Sequence, residues 1–418
     1  METSAVFLAF FPFFLYDKYK NQLGDENMNS FQYYTPTKVV FGSDTHLQVG
    51  KLIKEQNCRK VLLHFGGQSA RRSGLLDIIE TALQAEGIDY VTLGGVVPNP
   101  RLSLVHQGIA LCKQEQVDFI LAVGGGSVID SAKAIGYGVT NDGDVWDFYD
   151  RKRHATACLP IGVVLTIAAA GSEMSDSSVI TKDEGGIKRG YSSNLCRPKF
   201  AVMNPDLTMT LPDYQTACGC TDILMHTMER YFTNGGHMEL TDTLAEGLMR
   251  TVMKYGLVLK DDPQNKQARH EIMWAGSLSH NGLTGCGNAG NDFATHGFEH
   301  ELSGMFDVAH GAGLAAVWGS WARYVCDNCL DRFYRYAINV MNVTDGDPKA
   351  VALAGIEKTE AWFRAIGMPT NIKELGLSPT PAQVEELAEK FSIACGGKKG
   401  SAMVLQKNDM LAIYQMAL

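Results

Sequence analysis

Acidic and imidazole side chains recur at helical spacing in one part of this sequence. Asp222 and His226 stand four residues apart with no proline between them, so both side chains project from one face of a helix. His296 and His300 repeat this spacing, and His310 follows. Three or four imidazole nitrogens and one carboxylate oxygen form a donor set for a divalent ion of iron, zinc, copper or nickel.

The alternative interpretation of these residues is a structural hydrogen-bond network. An Asp/His pair on a helix is often a surface pair, and a lone histidine is usually a satisfied core residue. Neighbours such as Ile223, Leu224 and Phe298 are apolar and predict burial, where unpaired imidazoles and carboxylates are costly. This setting favours a metal site, although spacing alone leaves both interpretations open.

A second chemical feature is a glycine-rich turn. A predicted strand over residues 119–123 runs directly into Gly124-Gly125-Gly126-Ser127, and a helical pattern begins at Val128. Three glycines allow backbone N–H groups to approach a ligand, and a helix N-terminus favours negative charge. The turn therefore predicts a phosphate-binding site, with a simple tight turn as the alternative.

Strands alternate with helices in the first half of the chain. The predicted strands are 38–41, 59–65, 90–93, 119–123 and 160–166, and the predicted helices between them include 73–85 and 102–114. This alternation predicts a parallel sheet with helices on both faces. Segments 177–181 and 199–203 are interpreted as a strand pair around Gly185-Gly186. From residue 211 long helical patterns dominate, over 214–232, 240–259, 269–278, 314–324, 330–341, 350–366 and 383–395.

The pattern predicts two domains with the active site in the cleft between them. Residues 28–208 form an α/β dinucleotide-binding domain with a Rossmann-like parallel sheet, and residues 209–418 form an all-α metal-binding domain. Residues 1–27 are interpreted as an extension outside the fold, because the apolar run 6–15 is too short to span a bilayer. A weak signal anchor is the alternative.

Composition excludes several classes of protein. The chain has 418 residues, of which 45% are hydrophobic and 20% charged, as in globular proteins. Its formal net charge of -9 argues against nucleic acid or an anionic membrane as partner. The ten cysteines show no disulfide framework, which predicts reduced thiols in the cytoplasm. Cys326 and Cys329 lack a second pair nearby and are interpreted as buried small residues.

The turn after the second strand bears on the cofactor. Gly66-Gly67-Gln68-Ser69 contains no carboxylate, whereas a site specific for NAD holds the ribose 2'-hydroxyl with an acidic side chain. Arg71 and Arg72 follow closely. The missing carboxylate and the two arginines favour NADP. In the alternative interpretation, the arginines are solvent-exposed residues at the start of a helix.

With both halves placed, residues 29–418 resemble the iron-containing (group III) alcohol dehydrogenases, and within them the NADPH-dependent butanol dehydrogenase-like branch. The resemblance implies a dehydroquinate synthase-like architecture and a homodimer. The motifs that carry it are Tyr34-Thr35-Pro36-Thr37, Pro98-Asn99-Pro100, Gly124 to Asp130 with Lys133, Ala169 to Met174, Asn204 to Thr208, Asp222-x3-His226 and His296-x3-His300-x9-His310-Gly311.

The family pattern implies roles for individual residues. It assigns Asp222, His226, His296 and His310 as ligands of Fe(II), with Zn(II) as a substitute, and places His300 beside the nicotinamide. A proton relay through His300 is a hypothesis, and orientation of a ligand is its alternative. The implied NADP(H) contacts are Gly66, Gly67, Ser69, Asn99, Gly125, Gly126, Ser127, Asp130, Thr166, Ser172 and Lys188. For Lys188 a surface charge is the alternative.

The expected activity is hydride transfer between NADP(H) and a short- to medium-chain primary alcohol or aldehyde, of the butanol and butyraldehyde type. A glycerol or polyol dehydrogenase using NAD, a dehydroquinate synthase-like lyase and a non-catalytic nucleotide or metal sensor are the alternatives. A lyase would need basic residues around the metal for a phosphorylated substrate, and the histidine segments carry no such cluster.

Overall fold

The computed structural model of the chain describes residues 29–236 and 238–418, so the interpretation of residues 1–27 lies outside the described residues. Eight strands occur in this part of the chain: β1 Lys38–Phe41, β2 Lys60–Phe65, β3 Asp89–Leu93, β4 Phe119–Gly124, β5 Ile161–Leu165, β6 Ser177–Lys182, β7 Ile187–Ser192 and β8 Phe200–Met203. Six of them form a parallel sheet in the order β1-β8-β5-β4-β2-β3.

Helices cover both faces of this sheet. They are α1 Val49–Lys54, α2 Ser69–Arg72, α3 Leu75–Ala85, α4 Leu102–Glu115, α5 Gly126–Thr140 and α6 Trp146–Tyr149. Val105 of α4 and Ile129 of α5 belong to the apolar core on one face, whereas Ile53 of α1 and Ile79 of α3 belong to the core on the other. Since β4 is buried along its whole length, its uninterrupted apolar sequence suits a central parallel strand.

The predicted pairing of segments 177–181 and 199–203 is wrong. β6 pairs with β7 as an antiparallel hairpin, in which Ser177 aligns with Ser192. β8 instead lies between β1 and β5 in the parallel sheet. The physical reason is burial: all four residues of β8 are buried and apolar, as a central strand requires, whereas β7 is largely polar and half-buried.

Helices make up most of the second half. They are α7 Asp213–Tyr231, α8 Glu239–Asp261, α9 Lys266–His280, α10 Ala294–Phe306, α11 His310–Val325, α12 Leu330–Asn339, α13 Pro348–Ala365, α14 Pro381–Ala394 and α15 Lys407–Met416. Their core includes Trp318, Trp321, Phe232 and Phe333, all fully buried. The predicted order of an α/β half followed by a helical half is confirmed. Within the described residues, no helix has the length and apolar character needed to cross a membrane.

Candidate active site

One cavity of about 1110 Å³ separates the carboxyl ends of the parallel strands from the helical half. Cofactor sites in parallel sheets lie at this edge, and a large cleft there is the first candidate for a binding site. The cavity wall contains every residue that the sequence predicts for the site: Gly66, Gly67, Ser69, Asn99, Gly125, Gly126, Ser127, Asp130, Thr166, Ser172, Lys188, Asp222, His226, His296, His300 and His310.

Three imidazole nitrogens lie around one carboxylate oxygen in the cavity. Asp222 Oδ1 lies 3.2 Å from His226 Nδ1, 3.5 Å from His296 Nε2 and 3.6 Å from His310 Nε2. Asp222 and His226 lie one turn apart on α7, His296 lies in the first turn of α10, and His310 begins α11. Three helices therefore deliver the donors to one point.

Two glycines allow these backbones to approach each other. A Cβ atom on Gly219 of α7 would lie 2.3 Å from the carbonyl oxygen of Ala168, in the turn after β5. A Cβ atom on Gly311 of α11 would lie 2.2 Å from the carbonyl oxygen of Cys218. A larger residue at position 219 would push α7 away from the turn after β5, and one at position 311 would push α11 away from α7. Gly219 therefore sets the distance between α7 and the cofactor end of the cavity, and Gly311 sets the distance between the two helices.

The donors fit a divalent cation. Asp222 Oδ1, His226 Nδ1 and His296 Nε2 are buried and have no hydrogen-bond partner among the described residues. Buried polar atoms without partners are costly, and three of them facing one point fit a bound cation. One carboxylate oxygen and three imidazole nitrogens suit Fe(II) or Zn(II).

Two glutamates that the sequence analysis missed orient the imidazoles. His296 Nδ1 contacts Glu229 Oε2, and His310 Nδ1 contacts Glu299 Oε2, so each ring directs its Nε2 towards Asp222. Carboxylates that hold the far nitrogen of a ligating histidine are common at metal sites. The sequence contained a signal for both glutamates. Glu229 follows His226 by three residues and Glu299 follows His296 by three, which places each glutamate on the helix face that carries a predicted ligand.

Glu299 also belongs to a second group of donors. Ligand atoms of Glu299, His300 and His310 all lie within 4.8 Å of one another. The Glu299 carboxylate is already bound, however, by Lys188 Nζ at 3.1 Å and by the Ser303 hydroxyl. Burial alone would raise the pKa of Glu299, but His310 and Lys188 outweigh it and keep this carboxylate ionised. We therefore favour the point at Asp222 over this group as the metal position.

Lys188 contacts this group, and His300 belongs to it. Lys188 is buried and paired with Glu299, so its interpretation as a surface charge is wrong. The His300 ring centroid lies 6.2 Å from that of His296 and 5.8 Å from that of His310. Burial lowers the pKa of His300 well below its usual range, and the Lys188 ammonium acts in the same direction. His300 is therefore a neutral imidazole at pH 7.

The charge on His296 predicts how metal affinity depends on pH. Burial would lower its pKa, but Glu229 and Asp222 outweigh burial and raise it to about 9. Because a metal ligand must lose this proton, we expect affinity of the metal-free protein for Zn(II) to rise by about 10²-fold between pH 7 and 9, about tenfold per pH unit. Titration with chelator-buffered Zn(II) measures this slope.

Glu229→Gln is the matched control for this slope. The amide keeps the size of the side chain but removes the charge that raises the pKa of His296. We expect the variant to lose most of the pH dependence between pH 7 and 9. An equally steep slope in the variant would contradict the assignment of the proton to His296.

The cofactor end of the cavity is formed by the glycine turn and the turn after β5. Gly125 precedes α5, a helix of 15 residues whose first turn has no side-chain cap. The Asp130 carboxylate accepts hydrogen bonds from the Ser172 hydroxyl at 2.6 Å and from the Val179 N–H at 2.9 Å. Helix α5 is therefore tied to the turn that faces it, with its N-terminus open towards the cavity.

Comparison with known proteins identifies one family in both halves of the chain. The profile of the family described as iron-containing alcohol dehydrogenase matches residues 36–205. The profile described as Fe-containing alcohol dehydrogenase family, C-terminal, matches residues 216–418. Together these profiles span both halves of the cavity.

Individual relatives agree with the profiles. NADH-dependent butanol dehydrogenase A of Clostridium acetobutylicum is 38% identical over 390 residues, which cover 93% of this chain and 99% of the relative. NADPH-dependent aldehyde reductase YqhD of Escherichia coli is 34% identical over 367 residues, which cover 87% and 94%. The crystal structure of NADH-dependent butanol dehydrogenase A from Thermotoga maritima superposes with a TM-score of 0.90 at 36% identity, covering 94% of this chain and 99% of that one. The chain therefore belongs to the iron-containing alcohol dehydrogenase family.

Proposed function

We propose that the chain is a metal-dependent, NADP(H)-linked alcohol dehydrogenase that acts as an aldehyde reductase on short- to medium-chain aliphatic substrates. The observation that carries the proposal is the convergence of Asp222 Oδ1 with the nitrogens of His226, His296 and His310 at 3.2–3.6 Å. In the reaction an aldehyde, a reduced nicotinamide and a proton give an alcohol and the oxidised nicotinamide. A homodimer, which the family resemblance implies, is part of the proposal.

The proposal assigns cofactor binding and metal binding to two different domains. Residues 28–208 bind the dinucleotide, and residues 209–418 bind the metal. The last parallel strand, β8, ends at Met203 and the first long helix, α7, begins at Asp213, which supports a boundary near residue 208. The unpaired N–H groups at the start of α5 would bind the cofactor pyrophosphate.

The chemistry needs a polarised oxygen, a hydride and a proton. When bound, Fe(II) or Zn(II) supplies a Lewis acid for the substrate oxygen, and the nicotinamide supplies or accepts the hydride. Asp222 and the three histidines hold the cation, while Glu229 and Glu299 keep two of the rings in register. The neutral His300 imidazole would pass a proton between the substrate oxygen and solvent.

The relay predicts a kinetic effect for His300→Ala. We expect kcat for butyraldehyde reduction to fall by about 10²-fold, since general acid–base groups contribute 10²–10⁴-fold. Because burial and Lys188 lower the pKa of His300, wild-type alcohol oxidation should lose no activity through this group until the pH falls below 6.5. Steady-state rates from pH 5.5 to 9 measure both effects. Full turnover of the variant across this pH range would exclude a proton relay through His300.

NADP(H) is the proposed cofactor on the basis of the turn after β2. Residues 66–69 contain no carboxylate, and Arg72 on α2 is exposed with no ion-pair partner among the described residues. Arg71 lies 3.8 Å from Glu80 and 5.7 Å from the Phe65 ring centroid. NADH is the second candidate, because the relatives from Clostridium acetobutylicum and Thermotoga maritima are described as NADH-dependent.

Replacement of both arginines by alanine tests this choice. We expect Arg71→Ala/Arg72→Ala to lower kcat/KM for NADPH by about tenfold and to leave that for NADH nearly unchanged, because only NADPH carries a 2'-phosphate for these charges to bind. Arg59→Ala, at the opposite end of β2, is the control. A wild-type kcat/KM for NADH above that for NADPH would overturn the NADP(H) assignment.

The overall proposal is tested by following oxidation of NADPH and NADH with butyraldehyde. Activity should appear in metal-loaded protein, disappear with a chelator and return with Fe(II) or Zn(II). A lyase or a non-catalytic sensor would oxidise neither cofactor, and a polyol dehydrogenase would prefer glycerol with NAD.

A further inference from the structure

His280 is an additional imidazole in the wall of the cavity, where it ends α9. Its ring lies against the ring of His226, with centroids 4.0 Å apart at 67°, and its centroid lies 6.1 Å from that of Phe293. It is not one of the four proposed metal ligands, yet it contacts one of them. Its hydrogen bonds therefore affect which substrates bind in the cavity.

The tautomer of His280 follows from its contact with Arg230. Arg230 Nη2 lies 3.3 Å from His280 Nδ1, and a guanidinium can only donate. Arg230 is held in turn by the carbonyl oxygens of His226 at 2.7 Å and Ser279 at 3.1 Å. Nδ1 is therefore the acceptor and the ring proton lies on Nε2.

The Nε2–H group of His280 is available to a ligand. Within the described residues it donates to no side chain or carbonyl. Its nitrogen is nevertheless not one of the buried polar atoms that lack a partner, so it keeps some accessible surface. The group therefore opens onto the cavity. When a substrate displaces water, a donor with no acceptor is costly, whereas an oxygen at this position would be bound.

We propose that His280 is a specificity-determining residue whose Nε2–H group binds an oxygen on the carbon next to the reacting carbonyl. This inference rests on the proposed function, which assigns the reacting oxygen to the point between Asp222 and the three histidines. The His280 ring lies against the ring of His226, so its donor would meet an oxygen on the carbon next to the reacting one. Within the proposed NADP(H)-linked reaction, this donor favours 2-hydroxyaldehydes over alkyl aldehydes of the same size.

Glycolaldehyde and propanal test this inference, since a hydroxyl in one replaces a methyl in the other. The quantity measured is the ratio of kcat/KM for glycolaldehyde to that for propanal, in metal-loaded wild-type enzyme and variants. We expect His280→Leu to lower this ratio about tenfold, which corresponds to about 1.4 kcal/mol and one hydrogen bond. His280→Gln, whose amide still donates, should restore part of the ratio.

His270→Leu is the matched control, because His270 is a half-buried histidine on the same helix and lies outside the cavity wall. It should leave the ratio unchanged. A ratio within twofold of wild type in His280→Leu would overturn the inference. So would an equal fall for both aldehydes with loss of bound metal, since His280 would then only position His226. If the wild type reduces neither aldehyde with NADPH or NADH, the proposed function itself fails and the inference falls with it.

Discussion

Asp222→Ala should lose its bound metal and lower kcat/KM for butyraldehyde by about 10³-fold or more. Asp222 Oδ1 is the atom that the three imidazole nitrogens face, and it is the only carboxylate oxygen among the four donors. A Lewis acid supplies several kcal/mol to a carbonyl reduction, and each 1.36 kcal/mol is a factor of ten. Elemental analysis and NADPH oxidation measure the two losses on the same preparation.

Asp213→Ala is the control for this experiment. Asp213 is an exposed aspartate in the first turn of the same helix, α7, and lies outside the cavity wall. We expect it to keep wild-type metal content and activity. Circular dichroism should show equal helix content in both variants. An Asp222→Ala enzyme that keeps its turnover without metal would exclude a Lewis acid from the mechanism.

Lys133→Met should destabilise the folded protein by about 3–5 kcal/mol. Lys133 is fully buried in α5, and its ammonium donates to the carbonyl oxygens of Ser172 at 2.7 Å, Ser175 at 3.0 Å and Ser177 at 2.8 Å. Methionine fills the same space but leaves these oxygens buried without a donor, which costs about 1–3 kcal/mol for each group. Burial raises the pKa of Asp130, and the substitution also removes the Lys133 cation that opposes this rise.

Urea unfolding followed by tryptophan fluorescence measures this loss, with Lys113→Met as control. Lys113 is exposed on the neighbouring helix α4. We expect the control to change the free energy of unfolding by less than about 0.5 kcal/mol. A Lys133→Met protein as stable as wild type would show that the serine segment is held by other contacts.

Local patterns were enough to predict the frame of the site. Apolar runs bounded by glycine predicted the parallel strands, and the four-residue spacing of Asp222 and His226 placed both side chains on one helix face. The resemblance to the family then separated the predicted ligands from His300. The comparisons confirm the family, while the individual roles remain proposals.

Contacts between distant segments could not be predicted in this way. The partners of Lys133 lie some 40 residues further along the chain, and nothing in its local sequence distinguishes a buried ammonium from a surface one. The pairing of β6 with β7 was missed because β7 is largely polar and lacks the apolar pattern that indicates a strand. Helix α15 was also missed, because Met410, Ile413 and Tyr414 are its only buried residues and make a weak periodic signal.

Anomalous diffraction from crystals of the metal-loaded enzyme tests the central claim most directly. Data collected at the iron or zinc absorption edge should show one peak in the cavity, about 2.0–2.2 Å from Asp222 and from a nitrogen of each of His226, His296 and His310. A peak bound instead by Glu299 and His300, or no peak at Asp222 in active enzyme, would contradict the account.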